Sequence, residues 1–179
     1  MTPGLSSRVR LGVALMVIAC AMPTAHAAAS SDDVRFEEYR VRAAFLVNFT
    51  KFVQWPDDGA LAFCITGDRF FARAMSAAAG HSSTGGREIV VRTLGPKEDF
   101  TQCHTVFIAA FVGRDTPAIL KQVQELPVLT IGESPSFLTE GGAVRVFIEN
   151  NRIRFKVGGG AAEKKGLRIS SQLLTLAAR

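Results

Sequence analysis

One stretch near the start of the chain constrains the fold of nearly every residue after it: Glu37-Glu38-Tyr39-Arg40-Val41-Arg42-Ala43-Ala44-Phe45-Leu46-Val47-Asn48-Phe49-Thr50-Lys51-Phe52-Val53-Gln54-Trp55-Pro56. Val41, Phe45, Phe49 and Phe52 recur at helical spacing, and Tyr39, Ala43, Leu46 and Val47 widen the stripe. The pattern predicts a helix from about Val34 to Val53, ended by Pro56, which cannot continue the hydrogen-bond ladder. Ser30 or Ser31 can cap it, with Asp32 and Asp33 near its positive end. Phe45, Phe49, Phe52 and Trp55 carry more aromatic surface than one face against a sheet requires. A helix with aromatics on more than one side lies in a dense core or meets a second surface.

The residues before this helix read as an export signal. Arg8 and Arg10 precede an apolar run from Leu11 to Met22, and Pro23 and Ala25-His26-Ala27 follow. A basic start, a short apolar run and an A-x-A site describe a secretory signal cleaved near Ala27. The run falls short of the ~20 apolar residues of a membrane span. Val17-Ile18-Ala19-Cys20 also resembles a lipoprotein box with Cys20 acylated, but Pro23 and the A-x-A site favour simple cleavage. Residues 28–179 then form one domain, long enough to bury a core. The 21 basic and 16 acidic residues give a net charge of +5, which falls to +3 once Arg8 and Arg10 are removed. This charge is weak and scattered, and does not point to nucleic acid.

Beyond the long helix, strand-like and helix-like segments alternate. Leu61–Thr66 reads as a strand, Phe70–Ala79 as a short helix and Glu88–Leu94 as a strand. The apolar run Cys103–Ala110 suits a strand buried on both faces. Thr116–Glu125 follows as a helix with Pro117 in its first turn, then a short strand, Pro127–Ile131. Phe137–Glu140 reads as a brief helix before Gly141-Gly142. Ala143–Glu149 and Arg152–Val157 form a hairpin about Asn150-Asn151, a pair that tolerates positive φ. A last amphipathic helix is expected over Ala161–Ala178. Alternating strands and helices imply a three-layer αβα sandwich, its sheet mostly parallel with a C-terminal antiparallel hairpin.

Motifs for catalysis are scarce. The sequence has no G-x-S-x-G elbow, no H-E-x-x-H and no phosphate-cradling Gly-Lys-Ser/Thr loop. Gly158-Gly159-Gly160 could present backbone N–H groups to an anion, although a lone glycine run more often serves as a turn. A metal site from Cys64, Cys103 and His104 lacks a fourth ligand, and adjacent strand residues point to opposite faces. No acid–base–nucleophile set assembles, so the chain reads as a binding protein without cofactor or metal rather than an enzyme. Cys64 and Cys103 are the cysteines that remain after cleavage; in an oxidising compartment they either pair or stay as two buried thiols. Phe49, Phe52 and Trp55 are the candidate apolar contact residues. Arg168 is either a solvated arginine or a fork-shaped donor to a carboxylate or phosphate.

Several dispersed blocks, in order, resemble the YfiR family. They are Ala43–Pro56, Cys64-Ile65-Thr66-Gly67-Asp68, Cys103–Ile108, Pro127–Glu133, Gly141-Gly142 and Gly166–Leu174. The resemblance covers essentially the whole mature chain. It implies a periplasmic α/β protein that tends to dimerise and whose Cys64 and Cys103 match the family's disulfide positions. It further implies repression of an inner-membrane diguanylate cyclase through the cyclase's periplasmic region, keeping cyclic-di-GMP low. An outer-membrane lipoprotein would sequester the repressor under envelope stress. The sequence departs from the family where Phe155-Lys156-Val157-Gly158-Gly159 replaces a common Phe-Glu-Ile-Asn-Leu, and where Arg145 stands for a small polar residue. A second cysteine pair of some relatives is absent. The alternative reading is a periplasmic small-molecule sensor or carrier serving a histidine kinase or an outer-membrane receptor. Its aromatic stripe and Arg168 would hold a planar ligand.

Overall fold

A computed structural model of the chain describes residues 31–80 and 86–178, with side chains from Phe36 onward. The signal segment 1–27 with Cys20, the capping Ser30, the side chains of Ser31, Asp32 and Asp33, and His81 lie outside the described residues. The elements are α1 (Ser31–Thr50), β1 (Val53–Gln54), β2 (Leu61–Thr66), α2 (Arg69–Gly80), β3 (Ile89–Leu94), β4 (Thr105–Ile108) and α3 (Thr116–Gln122). They continue with β5 (Leu129–Gly132), β6 (Val144–Glu149), β7 (Arg152–Val157), β8 (Arg168–Ile169) and α4 (Ser171–Leu174).

Six strands form one sheet in the order β3-β2-β4-β5-β6-β7, parallel throughout except for the β6–β7 hairpin. The chain winds outward from β2 in both directions. Right-handed crossovers in opposite directions put α2 and α3 on opposite faces, giving the expected three layers. The inner strands are buried on both sides: every residue of β2, β4 and β5 is enclosed. That burial explains why they read as apolar runs rather than as alternating patterns.

α1 and α2 pack against each other and share one face of the sheet. Phe49 stands edge-on to Phe155 of β7 at 5.4 Å, and Phe45 lies 5.8 Å from the same ring. Phe71 of α2 meets Phe107 of β4 at 4.5 Å and Tyr39 of α1 at 5.7 Å. The surplus aromatics of α1 are thus largely absorbed by the hairpin at one end and by α2 at the other.

The hairpin turn lies where it is expected, with Asn150 and Asn151 at φ 51° and 56°. Phe137 is fully buried, but Phe137–Glu140 forms successive turns instead of a brief helix. Its ring fills the space between β5 and the entry to β6, so close to Gly132 and Gly142 that a Cβ on either would fall within 2.3 Å of it.

Two boundaries differ more. α1 stops at Thr50, three residues before the expected end at Val53. Lys51 and Phe52 donate to the carbonyls of Asn48 and Phe49, closing a tight last turn. The chain then extends to pair β1 with β8, so a distant strand, and not Pro56, ends the helix. The expected helix over Ala161–Ala178 is broken. A 3-10 turn at Glu163–Lys165 ends on Gly166 at φ 73°, and the chain then extends through Arg168–Ile169. Only Ser171–Leu174 is helical, with Ser170 Oγ accepting the Leu173 N–H at 3.2 Å. A left-handed residue at Gly166 terminates a helical turn as a C′ glycine does.

Candidate functional site

The small antiparallel pair of β1 and β8 gathers most of the residues singled out in the sequence. Val53 faces Ile169 and Gln54 faces Arg168, and the Ser170 N–H donates to the Phe52 carbonyl at 2.9 Å. Side chains alternate across this ladder. Val53 and Ile169 turn into the core, and Gln54 and Arg168 turn outward. Phe52 and Trp55 flank it, both half-buried against the core. Phe49 is sealed beneath at 2% exposure. The structure therefore brings Phe52, Trp55 and Arg168 to one neighbourhood and places Phe49 under it as packing.

Trp55 is fixed from two sides. Its indole N–H donates to the Thr50 carbonyl at 3.3 Å, and its ring stands edge-on to His104 at 6.0 Å. His104 Nδ1 accepts the Ala62 N–H at 3.0 Å, so the ring proton sits on Nε2, which donates to Asp57 Oδ2 at 3.0 Å. Both ring nitrogens are thus engaged, leaving none to act as a base toward a substrate. Asp57 also receives Arg87 Nη2 at 2.7 Å, while Arg87 holds the carbonyls of Asp57 and Gly59. The hydrogen bond from His104, followed by the Gly59 N–H and the nearby charge of Arg87, holds the Asp57 carboxyl below its ordinary value. These contacts tie the loop after β1 to the sheet and set the angle of Trp55.

Cys64 and Cys103 are bonded, with Cα atoms 5.9 Å apart across 39 residues of sequence. Both are buried, and the bond lies one residue before His104. The disulfide therefore anchors the same end of β4 on which Trp55 leans.

A second polar cluster lies at the carboxyl end of the sheet and carried no sequence signal. Tyr39 donates to Asp68 Oδ2 at 2.6 Å, and Asp68 Oδ1 caps α2 by accepting the N–H groups of Phe70 and Phe71 at 2.9 Å. Arg42 reaches both Glu38 and Glu133, and Glu133 also accepts the Ala110 N–H at 3.2 Å. Burial raises the Glu133 carboxyl above its ordinary value, against the pull of Arg42 and the Ala110 N–H. Burial, then the hydrogen bond to Asp68, pushes the Tyr39 hydroxyl up to about 12. These residues are polar positions on separate elements, so only their meeting identifies them. Their contacts fasten α1 to the ends of β2, β4 and β5.

Among the described residues, no group of three or more His, Cys, Asp or Glu is arranged to hold a metal ion. No helix among them is long and apolar enough to cross a membrane. The geometry offers an outward-facing amide and guanidinium pair, Gln54 and Arg168, flanked by the half-buried rings of Phe52 and Trp55 on a covalently braced scaffold, which is equipment for contact.

No curated protein matches the chain. The profile of the YfiR/HmsC-like family does, over residues 39–178, a span that runs from Tyr39 in α1 past the end of α4 and takes in the disulfide and the whole β1–β8 strip. The chain therefore belongs to the YfiR/HmsC-like family of periplasmic regulators.

Proposed function

We propose that this protein is a periplasmic regulatory subunit that binds the periplasmic region of an inner-membrane diguanylate cyclase and holds the cyclase inactive. Family membership across nearly the whole described chain carries this reading. The strip of Phe52, Trp55 and Arg168 supplies the contact surface, with Phe49 supporting it from the core. Aromatic and arginine side chains dominate the binding energy of protein interfaces, and here Trp55 is held from two sides. The mechanism is population shift: the protein binds the inactive form of the cyclase more tightly than the active form. A tenfold preference, about 1.4 kcal/mol, already biases the output. The binding role takes no catalytic step, cofactor or metal. A second copy of the chain and an outer-membrane lipoprotein compete for or complete the same regulatory surface.

Deleting the gene and measuring cellular cyclic-di-GMP tests the reading. The expected result is a rise that the wild-type gene reverses and an Arg168→Ala, Trp55→Ala variant does not. Unchanged cyclic-di-GMP, with no cyclase co-purifying with the protein, would overturn it.

A further inference from the structure

The glycine run Gly158-Gly159-Gly160 lies on the wall of a cleft of about 510 Å³ beside α3, which shares no lining residue with the β1–β8 strip. Lys121 from α3 and Lys164 and Lys165 from the 3-10 turn surround this cleft. None of the three forms an ion pair among the described residues. Lys165 is half-buried, and its amine donates to the Val128 carbonyl at 3.3 Å, leaving two further N–H groups. Its burial lowers its proton affinity, opposed by the charge of Glu125. One carboxylate, Glu140, also lines the wall, and one of its oxygens accepts the Ser136 hydroxyl at 2.6 Å.

The backbone adds donors to this positive rim. The N–H groups of Gly159 and Gly160 have no partner among the described residues, and Gly160 sits at φ 74°. Successive free N–H groups in such a turn form an anion-binding concavity. Packing explains Gly158, whose Cβ would lie 2.8 Å from the Gly142 carbonyl oxygen. Packing does not explain Gly159, where a Cβ would meet nothing within 4 Å. Gly159 also lines the cleft, where its free N–H stands beside the lysines.

We propose that this cleft binds a small phosphomonoester, its phosphoryl oxygens held by the three lysine amines and the Gly159 N–H. The apolar wall of Pro117, Leu120 and Leu138 accommodates a short organic body. The cleft volume exceeds what a bare phosphate fills and falls within the range of small-molecule sites. This inference is independent of the regulatory reading and of the β1–β8 strip.

Calorimetry on the folded protein with sn-glycerol 3-phosphate, inorganic phosphate and glycerol tests it. Glycerol phosphate binds and glycerol does not. Lys121→Gln with Lys164→Gln raises the Kd by about tenfold or more, because two charge-assisted contacts are lost. Both lysines are exposed, so the thermal midpoint of that variant stays in place, separating lost binding from lost folding. Gly159→Ala raises the Kd severalfold with the same unchanged midpoint. Absence of glycerol phosphate binding at about 10 mM, or equal binding by parent and double variant, overturns the proposal. Sedimentation with phosphatidylglycerol vesicles distinguishes the source. If vesicles bind the parent but not the double variant while soluble phosphoesters bind neither, the small-molecule assignment falls and the phosphoryl group belongs to a lipid headgroup.

Discussion

Phe49 and Arg168 stand at opposite ends of a scale that runs from core to contact. Phe49 is buried against Phe155 and Phe45, so Phe49→Ala removes a ring from a filled core and is expected to cost about 3–5 kcal/mol in denaturant unfolding. Arg168 is exposed, and Arg168→Ala is expected to change stability by no more than about 0.5 kcal/mol while weakening capture of the cyclase region. Phe52→Ala, at a half-buried ring beside the ladder, falls between them in stability and also weakens capture. Tyr39 supplies a test by titration. Its hydroxyl loses its proton near 10 in an unfolded chain and near 12 in the fold. The folded state therefore holds that proton longer, and its contribution to stability is fully present below pH 10 and is lost as pH rises from about 10 to 12. Tyr39→Phe is expected to flatten that alkaline segment of a stability-versus-pH curve, while other alkaline losses remain.

At the scale of elements, the β6–β7 hairpin offers a second test. Asn150 and Asn151 both adopt positive φ, a conformation that glycine enters without the Cβ penalty. Asn151→Gly is expected to stabilise the protein by about 0.5 kcal/mol, read as a raised thermal midpoint. This hairpin, β2 and α2 were legible in the sequence because each is specified locally, by alternation, by an apolar run or by helical spacing. The end of α1 and the break at Gly166 were not. β1 and β8 are two residues each, too short for any periodicity, and their identity as strands comes only from pairing across more than a hundred residues. Helical spacing in Phe52 and in Leu167–Leu174 was real, but the ladder outweighed it. The candidate strip shows the same limit. The aromatic stripe and Arg168 were each visible, and only the ladder explains why Arg168 comes to lie across from Gln54, between Phe52 and Trp55, while Phe49 is core. The Tyr39–Asp68 and Arg42–Glu133 contacts join residues from different elements with no spacing rule between them.

Across the whole molecule, the Cys64–Cys103 bond closes a loop that holds α2, β3 and the connector to β4. Chain-entropy reasoning for a loop of that length gives a stabilisation of about 4 kcal/mol. Replacing both cysteines by alanine is expected to lower the unfolding free energy by up to that amount, and loosening β4 at His104 should also shift the fluorescence of Trp55. An unchanged denaturation midpoint after reduction would contradict the bracing role. The aromatic contact between α1 and β7 has a further consequence, one of timing. Phe155 is synthesised roughly a hundred residues after Phe49, on the order of 5–20 s later at ordinary elongation rates. Throughout that interval α1 has no hairpin to cover Phe45 and Phe49. A chain built this way leaves those rings uncovered until the hairpin has been made, and its yield depends on what shields that helix while it waits.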